Sequence, residues 1–242
     1  MSGKQCCENS PTLSPNSGGG QLQVIGGLNC YVSGSPLSKI SVVLISDIFG
    51  YEAPNLRKLA DKVAAAGFYT VVPDFLHGDP FVSNDFQNDL PIWLKNHGPD
   101  QGFEDAKPVI EAIKSKGVAK IGAAGFCWGA KVVVELAKYA YIHAGVLLHP
   151  SFILTQIIKR SSGVKVPISV LGAEIDQISP PELLKQFEVA LNENPEVDGF
   201  VKIFAGVSHG WSVRYNVEDE DAVKEADESH NNMLDWFVKY LK

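Results

Sequence analysis

The feature that most restricts the fold of this chain is a series of short, continuously apolar segments, which alternate with helical patterns from about residue 38 onward. Continuously apolar strands are typical of a parallel sheet that is covered on both faces, whereas a half-solvated strand alternates apolar and polar residues. The segments predicted as strands are Val42–Ile45, Tyr69–Val72, Lys120–Ala124, Gly145–Leu148, Ile168–Leu171 and Phe200–Phe204.

Helical patterns fill the intervals between these strands. Between Leu56 and Val63 the apolar residues follow the spacing i, i+3, i+4, i+7, with Pro54 at the start and Gly67 at the end. The nearly all-apolar segment 130–137 predicts a buried helix, and an apolar stripe predicts a last helix from about residue 218 to the end of the chain. Strands that alternate with helices predict a doubly wound α/β sheet.

One domain accounts for nearly the whole chain. Residues 9–20 are turn-forming and have little to bury, so residues 1–20 are predicted as a flexible N-terminal tail. Residues 21–242 show no internal repeat and no linker, and are predicted as a single α/β domain.

Composition excludes several kinds of partner. The chain has 21 Lys and Arg against 28 Asp and Glu and carries no basic block, so nucleic acid is not an expected partner. No apolar run approaches the roughly 20 residues that span a bilayer, and no signal peptide is recognised. The four cysteines do not resemble a disulfide scaffold, which predicts a cytoplasmic protein with free thiols. The adjacent Cys6 and Cys7 are interpreted as part of an inert tail rather than as a redox or metal pair.

The strongest chemical motif follows the predicted strand Lys120–Ala124. Gly125-Phe126-Cys127-Trp128-Gly129 is a G-x-C-x-G sequence between a strand and a helix, with Cys where the nucleophile-elbow motif usually has Ser. The tight turn needs glycines because strand and helix approach closely, and a helix N-terminus favours a thiolate. The alternative is a buried structural cysteine, while the spacings of nucleotide-binding loops are absent.

Two later strand ends supply the partners that such a nucleophile needs. Asp176 follows the strand that begins at Ile168, and His209 follows the strand that begins at Phe200. The order nucleophile, acid, histidine is that of the α/β-hydrolase architecture, in which the histidine takes the nucleophile's proton and the acid fixes its tautomer. Glu174 lies two residues before Asp176, and spacing alone does not exclude it as the acid.

The chain resembles the dienelactone hydrolases (carboxymethylenebutenolidases) over about residues 22–242, on the cysteine motif and on Gly172–Asp176 and Ser208–Trp211. Ser46–Gly50 and Val72–Asp74 add to the resemblance, which is closest to plant and fungal members, some of them named mixed-linkage β-glucanases. It implies an α/β-hydrolase fold with Cys127 as nucleophile, Asp176 as acid and His209 as base. It also implies that the backbone amides of Ile48 and Trp128 form an oxyanion hole, and that no cofactor is needed.

The predicted substrate site departs from the bacterial members of that family. Asp47 stands where they have a glutamate, and Arg214 lies five rather than four residues after the catalytic histidine. Asp47, Trp211 and Arg214 are the predicted substrate-binding residues. Arg214 either grips a substrate carboxylate or is a surface residue paired with the acids at 218–221.

The remaining histidines give no metal-binding spacing, so no metal site is predicted. His149, at the end of a predicted strand, either lines the pocket or is a hydrogen-bonded structural residue. The sequence predicts a monomeric or homodimeric hydrolase of small esters or lactones that works through an acyl-thioester. The alternatives are a β-glucanase, with Asp47 and either Asp176 or Glu174 as its carboxylates, and a ligand-binding protein with a hydrolase fold.

Overall fold

An eight-stranded sheet organises the chain in a computed structural model that describes residues 4–153 and 163–242. The strand order is β1-β2-β4-β3-β5-β6-β7-β8; β1 and β2 pair antiparallel with their neighbours, and the others pair in parallel. The strands are β1 Gln21–Ile25, β2 Leu28–Ser33, β3 Ile40–Ile45, β4 Tyr69–Pro73, β5 Lys120–Phe126, β6 Ala144–Leu148, β7 Ile168–Ile175 and β8 Gly199–Ser208.

Helices cover both faces of this sheet. In the described residues they are α1 Pro54–Ala65, α2 Phe86–Trp93, α3 Pro99–Ser115, α4 Trp128–Lys138, α5 Pro181–Asn192 and α6 Glu220–Leu241. Helices α3, α4 and α5 contribute to one hydrophobic core, and α1 and α6 contribute to the other. Neighbouring strand residues alternate between the two cores, as Val42 and Val43 do, so the central strands are buried on both sides. No helix among the described residues is long and apolar enough to cross a membrane.

The predicted α/β sheet is confirmed, and each of the six predicted strands lies within an observed one. Sequence analysis missed the hairpin of β1 and β2, because β1 is mostly exposed and lacks an apolar run. It also missed α2 and α3, which carry internal prolines at Pro91 and Pro108. A proline inside a segment argues against a helix there, since it removes a backbone hydrogen-bond donor.

Several described residues of the segment predicted as a flexible tail make specific contacts. Residues Lys4–Cys7 form one turn of 3-10 helix, and the Gln5 side chain makes hydrogen bonds to the last residue of β7 and to the loop after it. Further along, Arg57 of α1 donates to the carbonyl oxygens of Pro15 and Ser17 at 2.6 and 3.4 Å. These are side-chain bonds to backbone atoms that lie far away in the sequence, which composition alone does not encode.

Candidate active site

Cys127 lies at the turn between β5 and α4, in a backbone conformation that side chains rarely adopt. Its φ and ψ are 50° and −107°, and its amide donates to Leu148 O at 3.1 Å. The flanking glycines are needed because a Cβ on Gly129 would lie 2.2 Å from Ile45 O, and one on Gly125 would lie 2.3 Å from Gly129 O. This is the strained strand–turn–helix geometry expected of a nucleophile elbow.

His209 and Asp176 meet at the same edge of the sheet. His209 follows β8 and Asp176 follows β7; the His209 Nδ1 to Asp176 Oδ2 distance is 2.7 Å, and both side chains are fully buried. Asp176 Oδ1 accepts the backbone N–H groups of Ile178 and Ser179 at 2.8 and 3.0 Å. Burial opposes the charge of Asp176, but the bond to His209 and the amide bonds outweigh it and lower the pKa of this carboxyl.

Glu174, the other candidate acid, is exposed and accepts the N–H of Gly206 at 2.8 Å. The geometry therefore favours Asp176 over Glu174 as the partner of His209.

His209 is electrostatically linked to Cys127. Burial alone lowers the pKa of His209, but the charge and hydrogen bond of Cys127, together with Asp176, raise it to about 9. Because Nδ1 is bonded to Asp176, the ring nitrogen available to Cys127 is Nε2. Such an environment stabilises the imidazolium form of His209 beside Cys127.

Two buried residues lie beside this pair. The sequence analysis did not predict Ser151, and it left the role of His149 open. Ser151, three residues after β6, has its Oγ 3.2 Å from Cys127 Sγ, and its amide donates to Cys127 O at 3.0 Å. His149 lies with its ring 5.0 Å from the His209 ring and its Nε2 2.9 Å from Ser212 Oγ. Burial and the nearby positive charges lower the pKa of His149 far below its usual value, so this ring is neutral. The sequence signal for both was only their place at a strand end.

The two predicted oxyanion amides lie on adjoining segments. Trp128 is the first residue of α4, where the helix itself offers no acceptor for a backbone N–H. Ile48 lies in the loop after β3. The start of that loop closely approaches α4, since a Cβ on Gly129 would lie 2.6 Å from Ser46 O. Both residues are at most 1% exposed.

Asp47 and Arg214, two of the predicted substrate-binding residues, are buried together. Arg214 Nε is 3.4 Å from Asp47 Oδ2, and its guanidinium lies over the Phe49 ring with its carbon 5.5 Å from the centroid. Its Nη1 also donates to the carbonyl oxygens of Gln5 and Glu8, at 3.4 and 2.7 Å. Burial raises the pKa of Asp47 although Arg214 opposes this. Arg214 is therefore a buried residue rather than the surface arginine of the alternative hypothesis.

A cleft of about 850 Å³ opens beside the candidate site. His209, Trp211 and Arg214 line it, together with residues 9–12 of the N-terminal segment, whereas Cys127 does not. The Trp211 ring packs between those of His149 and Phe204, at 5.4 and 5.3 Å. No cluster of three potential metal ligands occurs in residues 4–153 and 163–242.

Known proteins resemble this chain over most of its length. It matches the dienelactone hydrolase family over residues 28–241. An endo-1,3;1,4-beta-D-glucanase of Zea mays is 42% identical over 201 residues, which are 80% of this chain but 63% of that relative. The chain thus spans less than two thirds of the maize protein. A carboxymethylenebutenolidase homolog of Homo sapiens is 32% identical over 222 residues, 88% of each chain.

The fold has close counterparts among solved structures. The apo form of Thermogutta terrifontis esterase 2 superposes with a TM-score of 0.68 at 16% identity, covering 93% of this chain and 96% of the other. This likeness concerns the fold and agrees with the α/β-hydrolase architecture predicted from the sequence. The match to the family over residues 28–241, with the 32% identical relative, shows that this chain belongs to the dienelactone hydrolase family.

Proposed function

We propose that this chain hydrolyses small esters or lactones with Cys127 as nucleophile, His209 as general base and acid, and Asp176 as the residue that orients His209. The observation that carries the proposal is the buried 2.7 Å contact between His209 Nδ1 and Asp176 Oδ2. This contact leaves Nε2 for the cysteine at the elbow, the arrangement that activates a nucleophile in acyl transfer.

The reaction proceeds in two halves. The Cys127 thiolate attacks the carbonyl carbon, and the amides of Ile48 and Trp128 stabilise the oxyanion that forms. Collapse of this intermediate breaks the ester C–O bond, and protonated His209 gives its proton to the departing alkoxide. The product of this half is an acyl-thioester on Cys127.

In the second half, neutral His209 takes a proton from water, and the hydroxide attacks the thioester. Collapse releases the carboxylic acid and restores the thiolate beside protonated His209. The pKa of about 9 for His209 supports this cycle, since the pair starts and ends charged at neutral pH.

Substrate profiling with thiol alkylation tests the proposal. The full-length protein is assayed on phenyl acetate, an enol lactone and mixed-linkage β-glucan, before and after iodoacetamide, beside Cys127→Ala. We expect ester or lactone turnover that iodoacetamide abolishes and that Cys127→Ala lowers by about 10³-fold or more. Turnover unaffected by either treatment, or binding of the lactone without turnover, would contradict the proposal.

The name of the maize relative makes a glucanase the second candidate. Such an enzyme needs two carboxylates flanking the scissile bond. In this structure each of the three candidate carboxylates already has a partner. Asp176 is hydrogen-bonded to His209, Asp47 lies 3.4 Å from Arg214, and Glu174 accepts a hydrogen bond from the Gly206 amide. Release of reducing sugar from the glucan by both the wild type and Cys127→Ala would favour the glucanase.

A further inference from the structure

The N-terminal strap, defined as residues 4–20, is fixed to the domain through its second half. Ser14 N donates to Glu52 O at 3.1 Å, and buried Arg57 holds the carbonyl oxygen of Pro15. The amide of Gly20 donates to the Tyr31 hydroxyl at 2.7 Å. These contacts involve α1, β2 and the loop between β3 and α1, all outside the candidate site.

The first half of the strap lies across the candidate site instead. The Gln5 side chain donates to Ile175 O at 3.2 Å and accepts from Gln177 N at 2.6 Å, on either side of Asp176. Arg214, from the loop that carries His209, donates to the carbonyl oxygens of Gln5 and Glu8. Residues 5–8 therefore bridge the two loops that supply the acid and the base.

Cys7 brings this bridge within electrostatic reach of Cys127. It is partly buried and packs against the hydrophobic core that includes Cys127. Burial raises the pKa of Cys7 to about 11, and the charge of Cys127 adds to this effect.

Access to the nucleophile is closed in this arrangement. Cys127 is 0% exposed, and the cleft beside the strap reaches His209 but not Cys127. An ester carbonyl must touch Sγ to react, so some of the residues around Cys127 have to move. The described bonds of residues 5–8 to the acid and base loops are polar, whereas residues 14–20 have the separate anchors described above.

We propose that residues 5–8 are a specificity-determining cover of the active site, which seats between the acid and base loops and selects against bulky acyl groups. This inference rests on the proposed function, because it takes Cys127 as the reacting group. A small acyl group reaches the thiol with little displacement of the cover, whereas a bulky one requires the Gln5 bonds to break. The anchors at residues 14–20 keep the strap attached while its first half moves.

A substitution in the full chain tests whether residues 5–8 hinder bulky acyl groups more than small ones. Gln5→Ala removes both side-chain bonds to the acid loop, and Gln21→Ala, at an exposed position on β1, is the matched control. The measured quantity is the ratio of kcat/KM for phenyl 1-naphthoate to that for phenyl acetate. We expect Gln5→Ala to raise this ratio at least about fivefold, because the loss of two hydrogen bonds increases the fraction of molecules in which residues 5–8 are displaced. Gln21→Ala should leave the ratio unchanged. A ratio equal to that of the wild type in Gln5→Ala would overturn the proposal.

Hydrogen exchange gives a readout that needs no hydrolysis. Alkylation of Cys127 with N-ethylmaleimide, confirmed by peptide mapping, places a bulky group under the cover. Faster amide exchange in residues 5–8, with residues 14–20 unchanged, supports the cover even if Cys127→Ala still hydrolyses esters and the proposed function fails. Unchanged exchange in residues 5–8 after this modification overturns the cover itself.

Discussion

At the scale of single residues, the charge of His209 depends on burial and on two neighbours that oppose its effect. Burial disfavours its imidazolium, while Cys127 and Asp176 stabilise it strongly enough to bring the pKa to about 9. In the proposed mechanism this proton goes to the leaving group, so turnover requires protonated His209. The rate should accordingly fall as the pH rises through about 9.

Replacing the acid tests that dependence. Asp176→Asn removes a negative charge that raises the pKa of His209, so the alkaline limb of kcat/KM against pH should move to lower pH. By analogy with triads in which the acid is replaced, turnover should also fall by about 10⁴-fold. Glu174→Gln, at the exposed carboxylate nearby, should leave the limb in place. An alkaline limb that shifts in Glu174→Gln but stays near pH 9 in Asp176→Asn would show that Glu174, and not Asp176, is the acid.

Arg214 is the residue whose predicted role changes most in the structure. Its guanidinium borders the cleft, but it is already engaged by Asp47 and by the strap. If it also binds a substrate carboxylate, Arg214→Ala should raise KM for an anionic ester relative to a neutral one by roughly 10–100-fold. Taking the ratio of the two KM values removes effects common to both esters, such as the loss of the Asp47 partner. An unchanged ratio would show that Arg214 serves the fold and the strap alone.

At the scale of secondary-structure elements, the elbow depends on how closely α4 approaches the end of β3. A Cβ at Gly129 would lie 2.2 Å from Ile45 O and 2.6 Å from Ser46 O, and backbone atoms in the sheet cannot move aside. Gly129→Ala should therefore cost about 1–3 kcal/mol or more in unfolding free energy. Gly98→Ala, where the nearest atom is 3.7 Å away and φ is −67°, is the matched control. Similar urea midpoints for the two variants would argue against this close approach.

The elements that sequence analysis predicted correctly are those whose pattern is local. The apolar runs located β3 to β8, and the G-x-C-x-G motif located the elbow, because a parallel sheet and a tight turn each impose a short-range residue pattern. The approach of Asp176 to His209 was predicted from their order at successive strand ends. Three features have no local sequence pattern, because they depend on contacts between distant segments. They are the strap, the position of Ser151 beside the thiol, and the Asp47–Arg214 pair.

At the scale of the whole molecule, α6 is tied to the candidate site through a buried histidine. His230 Nε2 donates to Ser212 O at 2.7 Å, in the loop that follows His209. Burial lowers the pKa of His230 to about 4, from 6.5 in an unfolded chain. Between these values the unfolded state binds a proton that the folded state does not, so stability falls as the pH is lowered from about 6.5 to 4.

The size of this effect can be measured. A pKa difference of this magnitude corresponds to a loss of about 3 kcal/mol in unfolding free energy between pH 6.5 and 4. His230→Gln removes the titrating group, so its unfolding free energy should decline less than that of the wild type between pH 6.5 and 4. Urea unfolding at several pH values gives both curves. Parallel curves for the two proteins would show that His230 does not link pH to stability.

The proposed mechanism requires an acyl-thioester on Cys127, which acid-quench mass spectrometry detects during ester turnover. The full-length protein is mixed with excess phenyl acetate, quenched in the steady state and digested for peptide mapping. We predict one acetyl group on the peptide that contains Cys127, at a level that exceeds labelling of Cys7 or Cys30, and none at position 127 in Cys127→Ala. Sustained ester hydrolysis with Cys127 unmodified, at a rate that Cys127→Ala retains, would contradict it.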